Sequence, residues 1–348
     1  MRSSSNKKAA ITIIISVGVI LILTLNAQPV KWKNSKYMTI VSYNVENLFD
    51  TIDNPRKNDN EFTPFSKKKY NTKRYNKKIS AIATVLSSIN KKDLPEIIGL
   101  AEVENKAVLN NLIETPQLQK AHYKVILEEG PDPRGIDCAL LYRPDVFKYL
   151  SHKAVPVKFP FAGNRRTRDI LYVKGVVKKD TLHIFVNHWS SRRGGMQKSE
   201  PKRVQSAKVL KHNVDSLLAL NPDALIFIMG DFNDEPVNKS IYNVLDAGGI
   251  SEHKELVNLV YSLDKQGKGT YYYRGKYNML DNMIVSQALI NNKKGVRIFE
   301  KQAYIFHPDF ICYTHKNGDK SPAKTYGGKN YYGGFSDHFP VYTILYQK

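Results

Sequence analysis

The sequence predicts a layered α/β fold, and three observations carry that reading. Apolar, β-rich runs alternate with helical patterns along the chain. The two clearest helical patterns each lie between strand candidates. Polar residues able to hold a metal recur at the ends of the strand candidates.

The strand candidates are residues 38–45, 97–100, 138–142, 171–177, 182–187, 224–229, 283–285 and 341–346. In residues 74–89, Ile79, Ile82, Ala83, Leu86 and Ile89 recur at steps of three and four, which puts them on one helical face. In residues 204–220, Ala207, Leu210, Val214, Leu217 and Leu218 do the same. No tandem repeat and no Pro- or Ser-rich stretch divides this body, so one domain is expected over residues 37–348.

The 348 residues are 42% hydrophobic and 24% charged, values of a globular chain that exclude a disordered or fibrous one. The net charge of +21 favours polyanionic partners: nucleic acid, an anionic membrane surface or phosphorylated substrates. A surface merely decorated with lysine would give the same total. Cys138 and Cys312 are the two cysteines; neither has a metal-type spacing, and one pair makes no disulfide framework.

Arg2, Lys7 and Lys8 precede an uncharged stretch over residues 9–30, most apolar over 11–25. Residues 1–30 therefore read as a signal peptide or an N-terminal membrane anchor, an expected hydrophobic helix, with residues 31–36 as a linker. Ala27 is a candidate cleavage point, although Leu25 spoils an A-x-A pattern. Cleavage there would remove three positive charges and no negative ones, leaving +18 of the +21. The protein is expected to be exported, periplasmic or extracellular, and membrane-attached if the segment is uncleaved. No protein partner is implied, and a monomer is expected.

Six polar clusters mark the ends of strand candidates: Asn44 to Asn47, Glu102 to Asn105, Asn187-His188, Asp231 to Asp234, Asp281-Asn282 and Ser336-Asp337-His338. A single carboxylate at a strand end is ordinarily a helix cap or turn residue. Six clusters exceed what caps require, and in open α/β sheets ligands bind at strand ends. Carboxylates and Asn without a Cys or His metal motif suit a hard cation, Mg²⁺ or Mn²⁺. Two histidines can serve phosphorus chemistry as acid, base or electrostatic clamp. The absence of a G-x-S-x-G elbow, a P-loop or G-x-G-x-x-G argues against serine hydrolases, ATPases and dehydrogenases.

The ordered set Asn44/Glu46, Glu102, His188, Gly230-Asp231-x-Asn233, Asp281 and Ser336-Asp337-His338 resembles the signature of the endonuclease/exonuclease/phosphatase superfamily. The phrases YNVENLFD, LAEVEN, NHWSSRRGG and GDFND resemble its bacterial secreted-nuclease branch. The resemblance runs from Tyr43 to Pro340. It implies a four-layer sandwich of two mixed β-sheets flanked by helices. It implies Glu102, Glu46 and Asp337 as metal ligands with Asn44 holding them, Asp231 as orienter or base for water, and Asn233 as a phosphate contact. It also implies that Asp281 fixes the tautomer of His338, which steadies phosphoryl charge or acts as base, and that His188 binds phosphate or protonates the leaving oxygen.

Basic groups complete the expected site. Residues 67–78 hold seven Lys/Arg and no acid, and read as a solvated face. Arg168, Arg192 and Arg193 are expected to bind phosphate, since Arg offers a bidentate fork and Gly194-Gly195 lets the backbone approach a ligand. The expected activity is divalent-metal-dependent hydrolysis of DNA or RNA phosphodiesters. The alternatives are a sphingomyelinase-like or inositol-phosphate phosphodiesterase, and an inactive polyanion-binding module.

Overall fold

The computed structural model describes residues 36–292 and 295–347. The expected signal or anchor, with its helix, lies outside the described residues. Among those residues, no helix is long and apolar enough to cross a membrane.

In chain order the sheet strands begin with β1 (Tyr37–Leu48), β2 (Ile97–Val103), β3 (Lys124–Leu127), β4 (Asp137–Tyr142) and β5 (Phe147–Val155). Next come β6 (Ile170–Val177), β7 (Asp180–His188), β8 (Leu225–Asp231), β9 (Ala247–Gly248) and β10 (Leu256–Asn258). The last three are β11 (Asp281–Ser286), β12 (Val296–Ile305) and β13 (Val341–Gln347). A six-stranded sheet has the order β12-β13-β1-β2-β4-β3, and a seven-stranded sheet β9-β10-β11-β8-β7-β6-β5. Both are mixed: β1 runs parallel to β2 and β7 to β8, while β13 and β11 run antiparallel to β1 and β8.

Alternation along the strands sorts apolar side chains into three buried layers. Ile40, Phe227, Met229, Met283 and Val285 face inward and meet between the sheets. Val41, Tyr43, Ile98 and Leu100 face the other way, onto α1 (Thr72–Ile89) and α2 (Lys106–Ile113). Ile226, Ile228 and Ile284 pack on α3 (Met196–Leu220). The architecture is therefore helices, sheet, sheet, helix. The sheets approach closely enough that a Cβ on Gly99 would lie 2.6 Å from the Met229 methyl.

Each long helix is the crossover between parallel neighbours: β1-α1-β2 in one sheet, β7-α3-β8 in the other. That connection forces the C-terminal ends of β1 and β2, and of β7 and β8, to the same edge. α1 starts at Thr72, two residues before the expected boundary, because the Asn71 side chain accepts from the Arg74 N–H at 3.1 Å and caps it. Asn105 caps α2 in the same way, accepting from Val108 N. It is a helix cap, not a member of the site. α3 begins at Met196, well before the expected residue 204. Pro201 lies inside it, and the buried Arg203 guanidinium bonds the Met196 carbonyl and the Ser199 hydroxyl across the first turns.

Gly230 holds a crowded backbone position beside the site. Its φ is +137°, and a Cβ there would lie 2.0 Å from the Asn187 carbonyl oxygen. Gly230→Ala is expected to destabilise the fold by about 3 kcal/mol or more, since neither backbone can yield without moving Asp231 or His188. Denaturant unfolding of the purified variant checks this; a loss under about 1 kcal/mol would contradict the crowding described.

Candidate active site

One edge of the sandwich collects every sequence-predicted polar cluster. Asn44 and Glu46 end β1, Glu102 ends β2, His188 ends β7 and Asp231 ends β8. Asp281 opens β11 directly opposite Asp231 in the antiparallel ladder, and Asp337-His338 precedes β13. His188 is the register partner of Asp231 on the other side.

Local backbone irregularities aim these side chains. The β1–β2 register shifts between Asn44 and Leu48, and the β2–β4 register shifts between Ala101 and Val103. Glu46, Glu102 and Asn233 take φ of 49°, 67° and 51°, left-handed values unusual for residues with a Cβ. Such bulges at strand ends redirect side chains out of the ladder. The conformations are held by hydrogen bonds: Glu46 N donates to Asn44 Oδ1 at 3.0 Å, and Asn47 N to Glu102 Oε2 at 2.9 Å.

Asp231 is the hub. It accepts from Asn44 Nδ2 at 3.0 Å and from Asn233 through both its backbone N at 2.9 Å and its Nδ2 at 3.2 Å. His188 Nε2 lies 3.6 Å and His338 Nε2 3.9 Å from Asp231 Oδ2. His338 Nδ1 is 2.7 Å from Asp281 Oδ2, which also accepts from Thr270 Oγ1 at 2.5 Å. Burial alone would lower the His338 pKa, but the carboxylates of Asp281 and Asp231 outweigh it and hold the ring as an imidazolium. Burial, reinforced by the Arg168 charge, pushes His188 well below its ordinary value and keeps it neutral. Burial raises Asp231 to about 6, with His338 opposing the rise. The three groups are thereby separated into a cation, a neutral hydrogen-bonding ring and a carboxylate poised to take a proton near neutrality.

Glu46, Glu102 and Asp337 form the acidic side of the same edge. Burial and the charges of Glu46 and Glu102 raise Asp337 to about 7. A buried carboxylate whose ionisation its acidic neighbours disfavour, in a set of oxygen donors alone, fits a hard divalent cation. Among the described residues, Asp231, Asp281 and His338 are the group whose ligand atoms all lie within 4.8 Å of one another, but His338 Nδ1 already bonds Asp281. A bound cation would supply charge to the phosphoryl oxygens and to the attacking water.

The structure gives several residues work other than expected. Arg168 is buried and its guanidinium is fully engaged, by the carbonyls of His188 and Trp189 and by Asp132 at 2.6 Å. It anchors the end of β7, with its Nε, Nη1 and Nη2 turned inward. Arg192 is tied to the Asn233 carbonyl at 2.9 Å and to Asn238 at 2.8 Å, bracing the loop after β8. Arg193 is exposed and free of those ties. Asn233 directs its amide at Trp189 O and Asp231, so it positions Asp231 and has no donor left for phosphate.

Lys78 was hidden in the basic run of residues 67–78. It is 2% exposed, its Nζ lies 3.7 Å from Glu46 Oε2, and it donates to Thr325 Oγ1 and the Phe335 carbonyl. The signal was present: Tyr75, Lys78, Ile82 and Val85 fall at helical spacing on the apolar face of α1. Tyr271, whose ring centre is 5.0 Å from that of His338, carried no comparable signal.

A sequence model of the Endonuclease/Exonuclease/phosphatase family matches residues 39–347. The chain belongs to this family. Its members are phosphoester hydrolases that depend on a divalent metal. No curated protein matches the sequence. Among solved structures, a humanised TDP2 of D. rerio is 16% identical with a TM-score of 0.54, covering 89% of this chain and 99% of that one. D. rerio TDP2 complexed with a single-strand DNA product is 15% identical with the same score and coverage. A mannosyl-6-phosphatase of Bacteroides thetaiotaomicron is 17% identical, also at 0.54, over 88% of this chain and 99% of that one. At these identities the likeness is one of fold.

Two outcomes follow from the electrostatics. Lys78→Met leaves Glu46 buried without its counter-charge and should cost about 3 kcal/mol in unfolding free energy. Adding Glu46→Gln should recover most of it, and a double variant no more stable than Lys78→Met would refute the pairing. Second, Asp231 and Asp337 keep protons that the unfolded chain, with carboxyls near 4, has released. Metal-free protein should therefore lose stability as pH rises from about 4 to about 7. The rise in Tm on adding Mg²⁺ should be small at pH 5 and larger at pH 8. A Tm rise independent of pH, measured by calorimetry, would remove the acidic cluster as the metal site.

Proposed function

We propose that the protein is a Mg²⁺- or Mn²⁺-dependent phosphodiesterase that hydrolyses nucleic acid by water attack on phosphorus. The observation that carries the polymeric substrate is the surface around the acidic cluster. Cavities open on two sides of Asp337. One, of about 560 Å³, is lined by Glu46, Asn47, Lys67, Lys68, Tyr326 and Lys329; the other, of about 830 Å³, includes Lys324. A single small phosphate ester needs one pocket, whereas a strand crossing the reacting centre meets positive charge before and after it. The net charge of +21 agrees with a polyanionic substrate.

In this reading Glu102, Glu46 and Asp337 hold the cation, with Glu46 kept in place by Lys78 and the N–H groups of Thr325 and Tyr326. Asp231, oriented by Asn44 and Asn233, takes a proton from water as the water oxygen attacks phosphorus, and the leaving ester oxygen departs with the electron pair of its broken bond to phosphorus and takes a proton from solvent. The His338 imidazolium stabilises the growing negative charge on the phosphoryl oxygens, and neutral His188 hydrogen-bonds the same group. Charge complementarity placed before the reaction begins is the principal source of rate.

The test is the purified protein with Mg²⁺ or Mn²⁺, offered DNA, RNA, sphingomyelin and inositol phosphates side by side. Nucleic acid should be turned over fastest, and Glu102→Gln should lower the rate on the order of a thousandfold with the fold intact by circular dichroism. Affinity for duplex DNA should fall by roughly 0.9 log unit per log salt for each phosphate neutralised. Faster turnover of a lipid or inositol phosphate would overturn the nucleic-acid assignment.

A further inference from the structure

The larger cavity beside Asp337 is walled by Tyr271, Tyr272, Tyr313, Tyr331, Tyr332 and His315. We propose that it seats an unpaired nucleobase of the substrate strand, which makes the enzyme selective for single-stranded or extruded nucleotides; this rests on the nucleic-acid reading above.

Three features lead there. First, the wall is continuous with the reacting centre. Asp337 itself lines the cavity, and Tyr271 both packs its ring 5.0 Å from His338 and bridges to it through the backbone. A base held here is joined through one sugar to the phosphate at the acidic cluster.

Second, the wall offers ring surface: two of its polar edges are engaged within the protein, and two of its rings stand open. The Tyr272 hydroxyl donates to Asp319 at 2.7 Å, and His315 Nε2 bonds the Ser321 hydroxyl at 2.8 Å. Tyr313 and Tyr332 are 58% and 60% exposed. A flat π system requires ring surface, which the exposed Tyr313 and Tyr332 supply. At about 830 Å³ the cavity is of the size of small-ligand sites.

Third, cationic groups flank the rings. Lys324 Nζ lies 6.0 Å over the Tyr332 ring, and the Arg74 guanidinium 4.2 Å over that of Tyr331. Aromatic faces interleaved with Lys and Arg are the arrangement by which proteins hold unpaired strands: bases stack while cations follow the phosphates. Bases inside a duplex are stacked on one another and cannot enter such a pocket without being extruded, which costs a few kcal/mol.

The experiment uses the full-length protein with Mg²⁺ and one sequence in three forms: single-stranded, single-stranded with abasic residues in place of the bases, and duplex. The wild type should prefer the base-bearing single strand. Tyr313→Ala and Tyr332→Ala should each lower kcat/KM on it by roughly tenfold, the weight of one base–aromatic stack, and leave the slow abasic substrate unchanged. Tyr332→Phe should restore activity, because the ring and not the hydroxyl is required. A 2-aminopurine placed in the strand should lose fluorescence on binding the wild type and keep it with the Tyr313→Ala/Tyr332→Ala double variant. If the wild type cleaves all three forms equally and the variants match it, the base seat is refuted while the nuclease reading stands. If no nucleic acid is cleaved but other phosphoesters are, the nuclease reading itself fails.

Discussion

A single hydrogen bond joins the two halves of the chemistry: Asn44 Nδ2, at the end of the central strand of one sheet, donates to Asp231 Oδ2, at the end of the central strand of the other, at 3.0 Å. Elsewhere the sheets meet largely through side chains without direction, such as Met229 resting against Gly99, apart from the bond from Val296 N to Asp180 Oδ2 at 2.8 Å. Apolar packing sets their spacing to within the tolerance of a methyl group but says little about sliding. A directional bond at the edge removes that freedom. It holds Glu46 and Glu102, carried by the first sheet, in fixed relation to Asp231, His188 and Asp281, carried by the second. Ser336 extends the same lock, its hydroxyl donating to the Asn44 carbonyl at 2.7 Å and receiving His338 N.

Crowding acids at this edge is costly, and the fold limits the cost by dividing them. Asp281 faces an imidazolium, Glu46 faces Lys78, and Asp231 is surrounded by amide donors. Asp337 accepts from no such donor among the described residues, and burial with its acidic neighbours raises it to about 7. An uncompensated carboxylate beside Glu102 is what a divalent cation is suited to neutralise. The electrostatic deficit and the proposed chemistry therefore fall at one place.

What the sequence made legible follows the same physics. Central strands such as β8, with Ile226 and Ile228 facing one layer and Phe227 and Met229 the other, announce themselves because both faces are buried. The strands missed are at or near edges: β5 exposes Lys148, Tyr149, Leu150 and Ser151 in a row, and β12 carries Glu300, Lys301 and Gln302 outward. They have one side to bury and no pattern to betray it. The polar clusters were legible as strand ends, because bulges and turns need Asn, Asp and Gly whatever their chemistry. The work of the arginines was not. Arg168 and Arg192 read as phosphate binders in one dimension, yet each is folded onto carbonyls within the protein.

That reassignment changes how the site must hold its substrate. With Arg168 bound to the carbonyls of His188 and Trp189, its charge acts through the protein: it keeps His188 neutral and fixes the strand end on which His188 stands. A free arginine there would compete with the cation for phosphoryl oxygens and would leave the imidazole unbraced. Engaged internally, it leaves the reacting phosphate to the acidic cluster and His338, while the lysines of the two flanking cavities remain to meet its neighbours. Rigid groups thus surround the phosphorus, where misplacement of a fraction of an ångström lowers the rate. On the proposed function, the flexible lysines would line the track to either side, where a strand of any sequence would have to be accommodated.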